Sequence, residues 1–290
     1  MVNHYKIEIC CGSLTDCMTA EKYPVDRIEL NSGLELGGLT PSLSTFLLAK
    51  EKSTKKIVCM VRPRTAGFCY NNYEISTMFS DADVFLKNGA DGIVFGFLNP
   101  NRTIDVDNTK RMVELIHSYQ KEAVFHKAFD EVLDYDKAIE DLISCNVDRV
   151  LTSGTAPTVL EGLDVITHLE QKYGNQIEIL PGCGIKEDNI VEILEKSKVS
   201  QFHMTAKSTF EDHGSYVAVD GRNVQNVLDK IGNISTYYRK ELTGEDIAMM
   251  TNDPFEKEYE PKDVDRDRTE LVKGVQFELP CLFFTVSLLF

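Results

Sequence analysis

The sequence predicts an α/β protein built as a (β/α)8 barrel of the TIM type with a C-terminal extension. Short apolar runs alternate with helical patterns and form eight strand–helix units over about 230 residues. The run at 56–61 is apolar on both faces, as expected of a parallel strand covered on both sides. A doubly wound open sheet is the alternative fold, but no phosphate-binding GxGxxG motif follows the first strand. We assign residues 1–232 to the barrel and residues 233–290 to the extension.

The predicted strands are the short apolar runs between turn signals such as Gly37-Gly38, Gly89 and Gly174-Asn175. In chain order they are Lys6–Cys11, Asp26–Asn31, Lys56–Arg62, Gly92–Phe97, Ala123–Phe129, Arg149–Ser153, Glu178–Pro181 and Gln201–Thr205. The clearest helical patterns between them are Pro41–Lys52, Ile75–Asn88, Thr109–Gln120, Tyr135–Cys145, Thr158–Tyr173 and Glu187–Lys196, and a last helix covers Val224–Ile231.

The extension has a different composition. Ile234–Met250 has the pattern of one more helix, and Asp253–Asp267 is an acidic segment with two prolines that predicts a solvated linker. The tail Val275–Phe290 is apolar, so it packs on the domain, meets a partner or has no packing role. The sequence does not choose between these three.

Charge and targeting signals limit the partners and the compartment. A formal charge of −15 and a pI near 4.9 argue against nucleic acid or an anionic membrane as the main partner. The amino terminus lacks the basic-then-apolar pattern of a secretory signal, and no segment is long and apolar enough to predict a membrane span. We therefore expect a cytoplasmic protein, with the nucleus as a second compartment. The eight cysteines are expected to be thiols, and no CxxC pair predicts structural zinc.

The segment 56–70, KIVCMVRPRTAGFCY, joins a buried strand to a loop that carries charge. Arg62 and Arg64 stand where the strand ends, and Pro63 and Gly67 shape the exit. A guanidinium offers a rigid set of donors that fits a carboxylate or phosphate. These two arginines are therefore candidates for binding an anionic substrate, and the alternative is that both pair with internal carboxylates.

Charged residues are predicted to point into the barrel. Successive side chains of a strand face opposite sides, so the residues between Ile7, Ile9, Ile28 and Leu30 should face the interior if those four pack against helices. The residues predicted to converge there are Glu8, Cys10, Arg27, Glu29, Asn31, Met60, Arg62, His126 and His203, with Asp130 just beyond the fifth strand. Buried charges are costly unless they are paired. This predicts a functional site, and the alternative is a polar plug that only fixes strand register.

The loops after the last three strands add a candidate anion site. Gly182 and Gly184 follow the seventh strand, and residues 205–209, TAKST, follow the eighth. In many such barrels the backbone N–H groups of these two loops hold a phosphate. Thr152 and Ser153 end the sixth strand at the same mouth, although Ser153 is not in a GxSxG nucleophile motif.

The chain resembles the CutC family of copper homeostasis proteins. The resemblance rests on IEICC (7–11), DRIEL (26–30), GGLTPS (37–42), RPRTAGFCY (62–70), FHKAFD (125–130), RVLTSG (149–154), PGCGI (181–185) and FH (202–203). It covers about residues 5–231 and implies a TIM-like barrel, a dimer or tetramer, and Cu(I) binding by cysteines. It implies no accepted enzymatic reaction.

The metal ligands that the resemblance implies are Cys10 and Cys11. Cys10 stands at the family position of a proposed ligand, whereas Cys11 should face away from it in a regular strand. Asn31 stands where some members of the family have a cysteine, which removes a second thiolate from the implied site. Cu(I) prefers soft ligands, and Met60 is expected on the same inward face as Cys10.

Three functions compete at this stage. The first is copper homeostasis through Cu(I) binding. The second is an enzyme in which Arg62, Arg64 and the last two loops hold a small anionic or phosphorylated substrate, and Glu8, Glu29, His126 or Asp130 performs acid–base catalysis. The third is a structural homo-oligomer whose internal charges only pair with one another.

Overall fold

The structure is a computed structural model that describes residues 5–232. The predicted extension, with its helix, acidic linker and apolar tail, lies outside the described residues. Eight short parallel strands form one sheet in the described part: β1 (Lys6–Cys11), β2 (Arg27–Leu30), β3 (Lys56–Met60), β4 (Gly92–Phe95), β5 (Glu122–Phe125), β6 (Arg149–Thr152), β7 (Glu178–Pro181) and β8 (Gln201–Met204).

The sheet closes on itself. Each strand from β1 to β7 pairs in parallel with its neighbour in sequence, and β1 also pairs with β8. Within the described residues, β7 and β8 are joined by a single bridge between Gly182 and His203. This arrangement confirms the (β/α)8 barrel and excludes the open sheet.

Helices alternate with the strands. They are α1 (Leu14–Glu21), α2 (Leu43–Lys52), α3 (Asn72–Lys87), α4 (Val106–Ser118), α5 (Tyr135–Ser144), α6 (Leu163–Tyr173), α7 (Ile190–Ser197) and α8 (Gly221–Ile231). Side-chain caps fix several of their starts: Ser13 caps α1, and Asn71 with Glu74 forms a capping box on α3. In the described residues, no helix has the length and apolar character needed to cross a membrane.

Two elements were absent from the sequence prediction. Helix α1 has a weakly amphipathic sequence, LTDCMTAE, so its periodicity gave little signal. A hairpin of β9 (Lys207–Glu211) and β10 (Ser215–Val219) follows β8, where the sequence predicted only a loop. Most of its residues are exposed or half-buried, so the apolar run that marks a buried strand is missing.

The apolar side chains form two layers. The large outer layer lies between sheet and helices and includes Ile7, Ile9 and Ile28, as predicted. A small inner layer of Val58, Met60, Val94 and Val124 lies inside the barrel. The alternation used to assign inward and outward faces is therefore confirmed.

Strands β3 and β5 are among the six strands that end earlier than predicted. Strand β3 stops at Met60, since the backbone N–H of Arg62 donates to Thr40 Oγ1 and Pro63 offers no donor. Strand β5 stops at Phe125, and a 3-10 helix at Lys127–Glu131 follows, with His126 as its cap. Both early ends turn polar side chains towards the carboxyl ends of the strands.

Candidate functional site

A cavity of about 730 Å³ opens at the carboxyl ends of the strands. This volume is in the range of small-molecule sites, and this end of the barrel is where such folds place them. The predicted site residues that line it are Cys10, Glu29, Arg62, His126, Gly182, Gly184 and His203. The loops after β7 and β8 and the β9–β10 hairpin complete its rim.

Three potential metal ligands meet at the cavity. One ligand atom each from Cys10, Glu29 and His203 lies within 4.8 Å of the other two, and all three residues are buried. They come from β1, β2 and β8, which are adjacent in the closed sheet. The site therefore exists only because the barrel brings its first and last strands together.

The His203 ring is held in place by Glu8. Its Nδ1 lies 2.8 Å from Glu8 Oε1, which leaves Nε2 for a ligand. Although burial favours the neutral ring, the charges of Glu29 and Glu8 raise the pKa of His203. Although burial opposes ionisation of Glu8, the charge of Arg27 and the bond from His203 lower its pKa. Glu8 is thus an anion that orients His203.

The pKa values of Glu29 and Cys10 are both raised. Burial raises the pKa of the Glu29 carboxyl even though the charge of His203 opposes the shift. Burial also raises the pKa of the Cys10 thiol, and the nearby Glu29 carboxylate adds to this effect. Asn31 Nδ2 donates to Glu29 Oε2 at 2.7 Å and lies 3.5 Å from Cys10 Sγ. Asn31 therefore ties the thiol and the carboxyl together.

Arg62 and His126 also line the cavity. The Arg62 guanidinium donates to the carbonyls of Gly37 and Gly38 through Nη1 and to that of Ala66 through Nη2. His126 Nδ1 accepts the backbone N–H of Ala128 at 3.0 Å, so the ring proton lies on Nε2. Burial and the neighbouring Arg62 charge lower the pKa of His126 to about 3.

Two glycines make room for the two histidines. A side chain at Gly96 would meet the His126 ring at 2.4 Å. A Cβ at Gly182 would approach Leu151 at 2.5 Å and His203 at 3.0 Å. These close approaches explain glycine at both positions without any ligand.

A buried charge layer lies beneath the cavity. Arg27 Nε donates to Glu8 Oε2 at 2.6 Å, and Arg27 Nη2 donates to Gln201. Arg149, only 1% exposed, pairs with Glu122 and also approaches Glu8. The buried charged layer and the cavity therefore lie in the same barrel interior, and Arg149 was not among the residues predicted there.

Arg64, Asp130, Thr152 and Ser153 were predicted for the site but do not line the cavity. Arg64 is half-exposed, pairs with Glu74 at 2.5 Å and donates to carbonyls of its own loop. The Asp130 carboxylate accepts from the hydroxyls of Thr152 and Ser153 and from backbone N–H groups of the same turn. Their predicted roles in substrate binding and catalysis remain predictions, and their contacts are those of loop supports.

Cys10 and Cys11 lie on opposite faces of β1. Cys11 is fully buried in the outer apolar layer, next to Cys17 of α1. Burial raises the pKa of the Cys11 thiol. The described geometry thus gives Cys11 no access to the cavity, as expected from strand alternation.

Several lining residues escaped the sequence analysis. Phe68 packs between Arg62 and His126, with its ring 5.0 Å from the guanidinium carbon and 4.9 Å from the imidazole. Val217 reaches the cavity from the hairpin, and so does Lys207, which belongs to the predicted anion loop 205–209. Phe68 lies in the segment singled out at 56–70, so only its role was missed, whereas Val217 gave no recognisable signal.

The CutC family model matches residues 5–208, most of the barrel. The chain belongs to the CutC family. A CutC family protein of Treponema denticola is 47% identical over 211 residues, which cover 73% of this chain and 85% of that protein. A Drosophila melanogaster relative, named copper homeostasis protein cutC homolog, is 39% identical over 213 residues. The alignment covers 72% of this chain and 80% of the Drosophila protein.

A solved structure agrees with this assignment. The crystal structure described as a copper homeostasis protein CutC from Streptococcus agalactiae has a TM-score of 0.65 and 29% identity. It covers 69% of this chain and 98% of the Streptococcus chain. The match therefore spans essentially the whole of that barrel.

Proposed function

We propose that this chain is a copper homeostasis protein that binds Cu(I) in the cytoplasm, with Cys10 Sγ and His203 Nε2 as ligands. The observation that carries the proposal is the convergence of Cys10, Glu29 and His203, with one ligand atom of each within 4.8 Å of the other two. The printed name of the Drosophila relative supports the link to copper. The seven cysteines of the described residues are all free, which is consistent with a reducing compartment.

The chemistry of the donors fits Cu(I) at two of the three positions. Thiolate is the soft ligand that Cu(I) prefers, and imidazole also binds copper. Glu8 fixes the His203 ring as a second-shell carboxylate does in many metal sites. Glu29 offers only hard oxygen, so we assign it no bond to Cu(I), and Met60 in the same cavity offers a thioether as a third ligand.

An anaerobic titration of the reduced protein with Cu(I) against a competing chelator tests the proposal. Substitution of a residue that only supports a metal ligand typically lowers metal affinity about 10–100-fold. Cys10→Ser removes a proposed ligand, so it should lower the Cu(I) affinity by more than that. Cys69→Ser is the matched control, because Cys69 is an exposed thiol that does not line the cavity. Cys11→Ser should also leave the affinity unchanged, which separates the two adjacent thiols. Equal affinities for wild type and Cys10→Ser would contradict the proposal.

A second arm compares metals. A Cys–His–carboxylate set with an open side also suits Zn²⁺. Glu29→Gln should leave Cu(I) affinity unchanged but weaken Zn²⁺ binding. If wild type prefers Zn²⁺ and Glu29→Gln removes that preference, the metal of this site is not copper.

A second candidate function is favoured by the cavity itself. Arg and Glu add nothing to Cu(I) binding, yet both line a cavity large enough for a small molecule. In this version Arg62, Gly182 and Gly184 hold a small anionic or phosphorylated substrate, and Glu29 or His126 transfers a proton. Glu29→Gln should then abolish turnover of a substrate found by screening while leaving its binding intact. Undiminished turnover would exclude Glu29 from catalysis.

We also propose a homo-oligomer, either a dimer or a tetramer. Exposed leucines on and just before α2 support it, namely Leu36, Leu43, Leu47 and Leu48. Isolated apolar groups are ordinary on a surface, but a local cluster favours an interface. Sedimentation velocity should show more than one chain per particle, and a monomer at micromolar concentration would contradict this.

A further inference from the structure

The cavity contains four buried polar atoms without a partner among the described residues. They are Glu29 Oε1, Asn31 Oδ1, Arg62 Nε and His126 Nε2. All four residues line the cavity, and the most exposed of them, Arg62, is only 7% accessible. Buried polar groups in folded proteins nearly always have a partner, so this concentration in one cavity points to a missing one.

These atoms divide into two donors and two acceptors. His126 Nε2 carries the proton because Nδ1 already accepts from Ala128. Arg62 Nε is always a donor. Asn31 Oδ1 is an acceptor because its amide nitrogen donates to Glu29 Oε2, and Glu29 Oε1 is the free oxygen of that carboxyl. The two donor residues follow β3 and β5, and both contact Phe68. Of the acceptor residues, Glu29 lies in β2 and Asn31 directly follows it.

We infer that this cavity binds a small organic carboxylate that carries a hydroxyl or amino donor next to its acid group. The carboxylate oxygens would accept from Arg62 Nε and His126 Nε2. The hydroxyl or amino hydrogen would donate to Glu29 and Asn31. The two free N–H groups are equal in number to the two oxygens of a carboxylate.

An isolated phosphate satisfies the site less well. At neutral pH it carries more negative charge than Arg62 and neutral His126 can balance, and more acceptor oxygens than their free N–H groups can satisfy. The two other donor nitrogens of Arg62 are already committed to backbone carbonyls. The site therefore selects for the pairing of an acid with a neighbouring donor.

This inference concerns the same cavity as the second candidate function but does not require turnover. It is also independent of the proposed copper ion, because the experiment uses metal-free protein. Binding without catalysis would leave the inference standing and remove the enzyme proposal. Failure of Cu(I) binding would not affect it.

The experiment measures binding of tartrate, succinate, aspartate and inorganic phosphate to the metal-free full-length protein by titration calorimetry and thermal shift. Tartrate and succinate share two carboxylates, but only tartrate has hydroxyl donors, and aspartate tests the amino alternative. We expect tartrate or aspartate to bind about tenfold or more tightly than succinate, since one lost hydrogen bond to a charged group has that effect. Phosphate should bind more weakly than either.

Two variants locate the binding. His126→Phe keeps a ring against Phe68 but removes the Nε2 donor, and Asn31→Leu removes the acceptor; each should weaken the better ligand about tenfold. His117→Gln, an exposed histidine outside the cavity, is the control. If His126→Phe does not fold, Asn31→Leu and the comparison of tartrate with succinate still test the inference. Equal binding of succinate and the donor-bearing acids, or no binding of any of them at millimolar concentration, overturns the inference.

Discussion

The protonation state of His126 is set by burial and by a neighbouring positive charge. These two effects lower its pKa from 6.5 to about 3. Its backbone partner, Ala128 N–H, also requires an unprotonated Nδ1. The ring is therefore a neutral donor through Nε2 near neutral pH.

This state makes stability depend on pH. Between pH 6.5 and about 3, the unfolded chain binds a proton at His126 that the folded chain does not. The free energy of unfolding should therefore fall as the pH falls through this window, by up to ~1.4 kcal/mol per unit. Urea denaturation at several pH values should show a shallower dependence for His126→Gln than for wild type.

The matched control for that experiment is His213→Gln. His213 is exposed at the tip of the hairpin, so its removal should leave the pH dependence unchanged. Parallel curves for wild type and His126→Gln would show that the ring is not held neutral.

The buried pair of Arg27 and Glu8 gives a second prediction at this scale. Arg27→Met leaves the Glu8 carboxylate without the guanidinium 2.6 Å away and should cost about 3–5 kcal/mol of unfolding free energy. Lys6→Met removes the exposed pair with Glu178 and should cost no more than ~1 kcal/mol. Denaturant titration measures both, and similar losses would show that burial does not decide the contribution of the pair.

Residue placement was predictable where strand alternation decides it. Glu29, Arg62, His126 and His203 line the cavity as the pattern indicated. The contacts of Asp130 could not be predicted in this way. Its carboxylate oxygens accept hydrogen bonds from Thr152 and Ser153, and no repeating sequence pattern reveals hydrogen bonds between loops.

At the scale of single elements, the hairpin is held to the barrel through Asp16 of α1. Asp16 Oδ1 accepts from Val219 N–H, and Oδ2 accepts from Gly12 N–H, both at 2.8 Å. This buried carboxylate thus links the start of α1 to the end of β10. Since Lys207 and Val217 line the cavity, the linkage also fixes part of its rim.

Asp16→Ala should destabilise the β9–β10 hairpin more than the rest of the barrel. Loss of two charge-assisted hydrogen bonds should cost about 1.5–3 kcal/mol each. Amide hydrogen exchange should accelerate most in 207–219 and much less in β4 and β5. Uniform acceleration along the chain would instead show that Asp16 supports the whole barrel.

Whether an element could be predicted depended on how clear its pattern of apolar residues is. The eight barrel strands are buried on both faces and were all predicted, with ends shifted by a few residues. The hairpin and α1 were missed because exposed strands and weakly amphipathic helices resemble loops in sequence.

At the scale of the whole molecule, the barrel is expected to fold without the extension. The family match ends at residue 208, and the last barrel helix, α8, ends at Ile231. Residues 1–232 should therefore give a soluble protein with a melting temperature close to that of the full chain. Circular dichroism with thermal melting measures this, and an unfolded or aggregated fragment would show that residues 233–290 belong to the folding unit.

The closure of the barrel has a consequence for the newborn chain. Glu8 and His203 are separated by 195 residues. At about 5–20 residues per second, the ribosome finishes His203 roughly 10–40 s after Glu8. Throughout that interval Cys10 lacks its neighbour from β8, so the incomplete chain has the thiol but not the cluster of Cys10, Glu29 and His203. The last barrel strand to be synthesised is thus the one that assembles the cluster.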